Sequence, residues 1–481
     1  MKNYKNLIFE ASYVNGEWIK DSDEKVAVKN PADGSTVGYV YNNDATTINK
    51  AIDAAYDAFP NWRKKTAKAR SGILLNWYQL IMENKDEIAH IMVLESGKPL
   101  TECKGEIDYG AAYIQWYAEQ GKRNNGTVIP GFTEDRRISV IKQPIGVVGS
   151  ITPWNFPIAM ITRKIAPALA VGCPVVARPS ILTPFTALAL AHLAHKAGFP
   201  EGVVNIVVGK DSSAMGKALC EHPKLAKLSF TGSTRVGKIL MKQCSDGLKK
   251  LSLELGGNAP FIIFNDANID DAVKGAIAGK FRFSGQTCVC VNRFLVQDEV
   301  YDEFVEKFVA QVKTFKIGNG LETDVNFGPL INKEAITKME DFVEDAIQQG
   351  GTLATGGNKI DDYFFEPTVI TQANAKMKFA KEEIFGPIAP IFKFKTEDDA
   401  INMANDTEFG LASYFYTNDL NRSIRVSEAL EYGMVGLNAG LISSEVAPFG
   451  GIKQSGQGRE GSVYGLDDFV ELKYICTGSV K

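Results

Sequence analysis

From about residue 138 the chain alternates short β-rich runs with helical stretches, and no other property restricts its fold as much. The β-rich runs fall at 145–151, 175–177, 203–208, 227–230 and 250–253. Helical stretches at about 184–197, 212–221 and 234–245 lie between the later ones. Parallel strands need a crossover connection, usually a helix, so this order predicts a parallel sheet with crossover helices. Residues 44–120 instead repeat at helical spacing: Ile48, Ala51, Ile52, Ala55, Ala58 and Phe59, then Ile73, Leu74, Trp77, Leu80 and Ile81. A second α/β series runs from about 258 to 435. Segments 124–141 and 467–481 fit neither block and read as strands that reach away from the main body.

A chain of 481 residues exceeds one ordinary core, and ~150 residues per domain suggests roughly three units. A net charge of −4 argues against a nucleic-acid binder, and the basic group Arg63, Lys64, Lys65, Lys68 and Arg70 reads as a solvated helix face. The longest apolar stretch, 165–177, is broken by Pro167, Gly172 and Pro174, so no membrane span is expected. The first residues lack an export signal, and seven mostly scattered cysteines are the usage of reduced thiols; a cytoplasmic protein is expected. His192 and His195 share a helix face without partners at metal-ligand spacing, so no metal is expected.

Five segments carry candidate chemistry. Cys288 lies in Phe283-Ser284-Gly285-Gln286-Thr287-Cys288-Val289-Cys290, and Glu254 lies in Leu253-Glu254-Leu255-Gly256-Gly257-Asn258. A thiol and a carboxylate in two glycine-bearing turns suggest a nucleophile and a general base. Taken singly, Glu254 also reads as an exposed acid and Cys288 as a small packing residue. Phe230-Thr231-Gly232-Ser233-Thr234 joins a strand to a helix; such a turn receives a phosphate or merely caps the helix. Ile151-Thr152-Pro153-Trp154-Asn155-Phe156-Pro157 is stiffened by two prolines and holds an amide able to donate to an oxyanion. Arg178-Pro179-Ser180 follows a strand end, where a cation meets a ribose or phosphate, or forms a surface ion pair.

In this order, Pro153-Trp154-Asn155, Phe230-Thr231-Gly232-Ser233, Glu254-Leu255-Gly256-Gly257, Gly285-Gln286-Thr287-Cys288 and Glu382-Glu383-Ile384-Phe385-Gly386-Pro387 resemble the NAD(P)-dependent aldehyde dehydrogenase superfamily over nearly the whole chain. The resemblance implies an α/β fold: a Rossmann-type cofactor domain (1–123 and 142–252), an α/β catalytic domain (253–435), and a small β oligomerisation arm with the C-terminal segment (124–141 and 436–481). It implies Cys288 as nucleophile, Glu254 as the base for the deacylating water, Asn155 with the Cys288 N–H as oxyanion hole, and Lys164 behind the nicotinamide end. Thr152, Pro153, Trp154, Asn155, Arg178, Ser180, Ile181, Gly232, Ser233, Leu255, Glu383 and Phe385 are implied on the dinucleotide. The ionised thiol that such chemistry uses predicts a Cys288 pKa below the ~8.5 of free cysteine.

Within the superfamily the chain is most similar to the succinate-semialdehyde dehydrogenases, through Met160-Ile161-Thr162-Arg163-Lys164, Lys280-Phe281-Arg282, Thr287-Cys288-Val289-Cys290 and Ile442-Ser443-Ser444. That similarity implies Arg163, Arg282 and Ser443 on the substrate carboxylate, with Phe156 and Phe449 beside them, and Cys290 as a redox partner of Cys288. The alternative is another ω-carboxylated aldehyde such as glutarate semialdehyde. Two departures stand out. Arg178 replaces the usual lysine, and Ile181 stands where strict NAD users place Glu, so NADP is favoured over NAD. Phe283 replaces a smaller polar residue, which is expected to reshape the channel near Arg282. A homodimer or homotetramer built on the arm is expected.

Overall fold

A computed structural model describes residues 4–480. Its first sheet has eight strands, in the order Glu17–Ile19, Ser12–Val14, Val204–Ile206, Val175–Arg178, Val147–Ile151, Leu225–Thr231, Lys250–Glu254 and Gly456–Gln457. The five central strands are parallel, and both flanks are antiparallel. The chain winds outward from Val147–Ile151 in one direction, then crosses back to Leu225–Thr231 and winds the other way. Between those two strands lies the switch point, where the carboxyl ends leave a crevice.

Helix Ala159–Val171 is buried at every residue. It is apolar all round except at Thr162, Arg163 and Lys164, so its polar side chains carry information that an amphipathic surface helix would not. Four further helices, Ala45–Lys64, Ala67–Glu83, Lys85–Ser96 and Leu100–Gln120, precede the parallel strands of the sheet in sequence.

The second sheet has seven strands, in the order Thr352–Thr355, Thr368–Thr371, Ile388–Phe394, Val291–Gln297, Ala259–Ile263, Ala412–Tyr416 and Met434–Leu437. All neighbours run parallel except the first pair. Parallel sheets need both faces covered. Here Phe261 and Ile263 join one apolar cluster, while Ile262 and Phe264 join the other. A third, three-stranded antiparallel sheet combines Val470–Thr477, Arg137–Pro144 and Thr127–Ile129. It leaves Val128, Leu472 and Tyr474 exposed.

Candidate active site

The switch point of the first sheet opens into a cavity of about 270 Å³. Pro153, Trp154, Asn155, Gly232, Ser233, Leu255, Cys288, Glu383 and Phe385 line it, all marked by the sequence. Thr231 and Lys338 line it too, and no motif had pointed to Lys338. Gly232 N–H donates to Glu254 O (3.0 Å), so adjacent strand ends carry both halves of the site. Ser233 Oγ accepts from Val236 N–H (3.4 Å), which makes it the N-cap of helix Thr234–Cys244. The Trp154 ring stands edge-on to Phe385 at 5.7 Å and to Phe283 at 6.0 Å. Glu383 accepts from Gly257 N–H (3.0 Å), and burial pushes its pKa up to about 7.

The cysteine loop is held against its own backbone preference. Phe283, Ser284 and Gly285 all have left-handed backbones, with φ of 49°, 52° and 79°. Hydrogen bonds hold this turn: Phe283 N–H to Glu102 (2.8 Å), Ser284 Oγ to Gly328 O (2.7 Å), and Gln286 side-chain bonds to Phe283 O, Pro329 O and Ile331 N–H. A Cβ at Gly257 would lie 2.6 Å from Cys288 O, so only glycine lets the two loops approach this closely. Asn155 Nδ2 donates to Gln286 O (2.9 Å), which ties the amide to the cysteine loop and uses one of its two hydrogens. Phe283 is fully buried and packs against Trp154 and against Phe156, the ring that lies beside Arg282.

From Cys288 a narrow passage leads outward past Phe156, Arg163, Arg282, Ser443 and Phe449. It shares Phe156, Arg282 and Ser443 with a wider chamber of about 260 Å³. The Arg163 guanidinium lies 4.2 Å from the Phe449 ring centroid, and that of Arg282 lies 5.1 Å from Phe156. The structure therefore brings all five expected substrate residues together beside the thiol.

Behind the passage lies a buried charge cluster. Glu460 bridges Arg163 and Lys164, and Lys164 also reaches Ser229 Oγ (3.3 Å). Arg163 Nη2 and Glu254 Oε2 are buried without a hydrogen-bond partner. A Cβ at Gly450 would fall 2.9 Å from Glu254 Oε1, so the carboxyl occupies space that a side chain would fill. Lys164 sits in this cluster and is not among the residues lining the cavity at the switch point. Glu460 escaped the sequence reading because Gly458-Arg459-Glu460 follows no periodic element. The only sequence signal for it was two cations in an otherwise apolar helix, which demand a buried counter-charge.

These surroundings run against the expectation of a lowered thiol pKa. Burial pushes the Cys288 thiol up to about 12, although Arg163 and Arg282 pull it down. Glu254 is raised well above the carboxylate range by burial and by Glu460, against Arg163 and Lys164. Burial thus favours the neutral form of both groups.

Elsewhere the site departs from simple readings. Arg178 is buried, and its Nη2 donates to Gly209 O (3.1 Å) and Ser212 Oγ (2.6 Å). Its guanidinium is thus built into the 209–212 turn, with Nε left unpaired, and burial lowers its pKa to about 10. Thr152 Oγ1 is buried without a partner, Ser180 Oγ accepts from Leu182 N–H (3.2 Å), and Ile181 packs on the first core. Cys290 is buried, with its sulfur on Lys280 Nζ (3.4 Å) and donating to Lys280 O (3.3 Å). Cys288 and Cys290 are both free thiols. Among the described residues no cluster of metal-ligating side chains is present.

The family model of the aldehyde dehydrogenase family matches residues 18–475. The chain belongs to the aldehyde dehydrogenase family. It is 55% identical over 479 residues to a protein of Escherichia coli (strain K12) named succinate-semialdehyde dehydrogenase (NADP(+)) GabD, covering 99% of each. It is 54% identical over 471 residues to a glutarate-semialdehyde dehydrogenase of Pseudomonas putida, covering 98% of each. The crystal structure of an aldehyde dehydrogenase from Brucella melitensis biovar abortus 2308 superposes with a TM-score of 0.98 at 55% identity, covering 99% of each chain. As an aldehyde dehydrogenase, the chain has a small-molecule substrate, and the α/β architecture with its two parallel sheets is that of the family.

Proposed function

We propose that this aldehyde dehydrogenase oxidises succinate semialdehyde to succinate with NADP, or less readily NAD, through a thioester on Cys288. The observation that carries the reading is the passage in which Arg163, Arg282 and Ser443 line the same walls as the thiol. An ω-carboxylate held there by two guanidinium groups leaves its aldehyde carbon to face the sulfur.

The residues of the larger cavity fit a dinucleotide. Thr231 Oγ1 is a buried hydroxyl without a protein partner, and Ser233 opens a helix whose first amides can receive a phosphate. Trp154, Gly232, Ser233, Leu255, Glu383 and Phe385 would hold the cofactor; Arg178, beside the turn at 209–212, supplies positive charge that a 2′-phosphate needs. When bound, the nicotinamide accepts a hydride from the substrate carbon.

The remaining chemistry belongs to the chain. Cys288 passes its proton to the ionised Glu254 carboxylate as its sulfur attacks, and Glu254 releases that proton to solvent before it meets the deacylating water. Asn155 Nδ2 and the Cys288 N–H hold the oxyanion. Glu254 takes a proton from water, and the resulting hydroxide releases the acid from the sulfur. Glu254 serves as a base only in its ionised form, which Arg163 and Lys164 favour.

All strands of the first sheet but Gly456–Gln457 fall to a cofactor unit (1–123 and 142–252, its last strand running on to Glu254), the second sheet to a catalytic unit (253–435), and segments 124–141 and 436–481 to an oligomerisation arm and a C-terminal segment that returns Gly456–Gln457 to the first sheet. The exposed apolar residues Val128, Leu472 and Tyr474 on the arm suit pairing with further copies as a homodimer or homotetramer. Among the described residues no helix is long and apolar enough to cross a membrane. The seven free cysteines suit a reducing compartment such as the cytoplasm.

The test is cofactor reduction with succinate semialdehyde, glutarate semialdehyde and an uncharged aldehyde of similar size, with NADP and NAD, without and with coenzyme A. The reading expects the highest kcat/KM with succinate semialdehyde and NADP, and no dependence on coenzyme A. Preference for the uncharged aldehyde, or a coenzyme A requirement, overturns it.

A further inference from the structure

Helix Leu100–Gln120 borders the substrate chamber, and it carries two carboxylates one turn apart, Glu102 and Glu106. Both line the wider chamber beyond the substrate passage, as does Lys98. Glu102 accepts the backbone N–H of Phe283 (2.8 Å), within the strained cysteine turn. Glu106 accepts the N–H groups of Ile158 (3.0 Å) and Ala159 (3.3 Å), at the start of the helix that bears Arg163 and Lys164. That helix start has no side-chain cap of its own. Just before the carboxylates, Lys98 pairs with Glu106 and donates to the backbone oxygen of Asn155 (2.9 Å). Its ammonium also lies 4.0 Å from the Phe156 ring centroid and 4.4 Å from that of Phe283. Lys98 and Glu106 are both buried.

These contacts close a circuit. Lys98 holds Asn155 by its carbonyl, and Asn155 holds Gln286 by its side-chain amide. Gln286 donates twice to Phe283 O, and Phe283 is held by Glu102 on the same helix that returns to Glu106 and Lys98. The oxyanion donor and the nucleophile loop come from different sheets, so nothing in either strand ladder fixes their separation. Building on the thioester reading, we propose that Lys98, Glu102 and Glu106 are positioning residues: one rigid helix clamps the Asn155 loop and the Cys288 loop at the spacing that the oxyanion requires. Such a clamp acts on the acylation rate, because a misplacement of about 1 Å costs on the order of 100-fold in rate.

The test uses two sets of full-length variants. Lys98→Met/Glu106→Gln removes both charges together, so no lone buried charge remains, and the glutamine still accepts from Ile158 and Ala159. Glu102→Leu removes the grip on Phe283, whereas Glu102→Gln keeps an acceptor there; this pair decides the matter if the double variant does not fold. With enzyme in excess, single-turnover cofactor reduction gives a rate and an amplitude. Lys98→Met/Glu106→Gln and Glu102→Leu are expected to lose on the order of 100-fold in rate at full amplitude, with unchanged dinucleotide affinity by tryptophan fluorescence. Glu102→Gln is expected to stay close to the parent. A structural role alone lowers the amplitude or the melting temperature and leaves the rate per active site untouched; that result overturns the clamp. In the cofactor-free protein, the alkylation rate of Cys288 by iodoacetamide, read by mass spectrometry, should rise several-fold in Glu102→Leu and not in Glu102→Gln. This readout holds even if the parent oxidises no aldehyde, which would sink the functional reading, and equal alkylation in all three proteins sinks the clamp.

Discussion

Glu460→Gln deletes the carboxylate shared by Arg163 and Lys164 while keeping the shape of the side chain. Removing one partner of a buried ion pair costs about 3–5 kcal/mol, because a charge is left uncompensated. At about 2–4 °C per kcal/mol for a domain of this size, the melting temperature should fall by about 6–20 °C. The deficit should also depend on pH. In the parent, burial and Glu460 raise the Glu254 pKa, while Arg163 and Lys164 lower it. The variant loses a raising influence and leaves both lowering ones without their partner, so Glu254 ionises at lower pH than in the parent. A carboxyl whose folded pKa lies above its unfolded value binds more protons folded than unfolded, so it lowers stability as pH rises through that window. The window is narrower in the variant, and each unit of narrowing is about 1.4 kcal/mol. The gap in melting temperature should therefore shrink as pH rises above the ordinary carboxylate range, and the acidic limb of thioester hydrolysis should move to lower pH. Calorimetry across that range and a pH profile of turnover check both. A gap independent of pH, or a limb that moves to higher pH, refutes the coupling between Glu460 and Glu254.

Three further outcomes follow from the same geometry. Cys288→Ala should give no reduced cofactor even in a single turnover, whereas Glu254→Gln should give a burst followed by slow turnover. Arg282→Ala should lose about 1.5–3 kcal/mol in kcat/KM with succinate semialdehyde and much less with an uncharged aldehyde, since one charge-assisted contact disappears. Mild peroxide should inactivate the parent reversibly if Cys290 can leave Lys280 to meet Cys288. Identical inactivation and recovery in Cys290→Ala, assayed with dithiothreitol, leaves Cys290 as packing.

The parallel strands of the first sheet were legible because they repeat a local pattern. The expected runs at 175–177 and 250–253 differ from the observed strands by one residue, and the helix at 184–197 matches Pro184–Ala197. Ser12–Val14 and Gly456–Gln457 were not legible, since strands of three and two residues show no alternation and are defined by partners far away in sequence. Most residues lining the cofactor cavity were legible as motifs, because they sit in loops and turns, several of them at strand ends; Lys338, within helix Lys333–Gln348, was not. What the sequence could not show was electrostatics. A low thiol pKa seemed required by the chemistry, yet desolvation outweighs two guanidinium groups. The identity of the charge opposite Arg163 and Lys164 was invisible for a related reason: the carboxylate belongs to a short loop with no motif of its own.

That distance along the chain has a consequence for synthesis. Lys164 and Glu460 are 296 residues apart, and the strand Gly456–Gln457 just before Glu460 is the eighth of the first sheet. On the ribosome, the five parallel strands emerge long before the peptide that neutralises the cations between them. The nascent first sheet must wait with Arg163 and Lys164 hydrated and its last edge open, while the whole second sheet is translated. Truncated products ending before residue 456 would therefore carry an unfinished first unit, however complete their dinucleotide motifs look, and would be natural clients for chaperones and proteases.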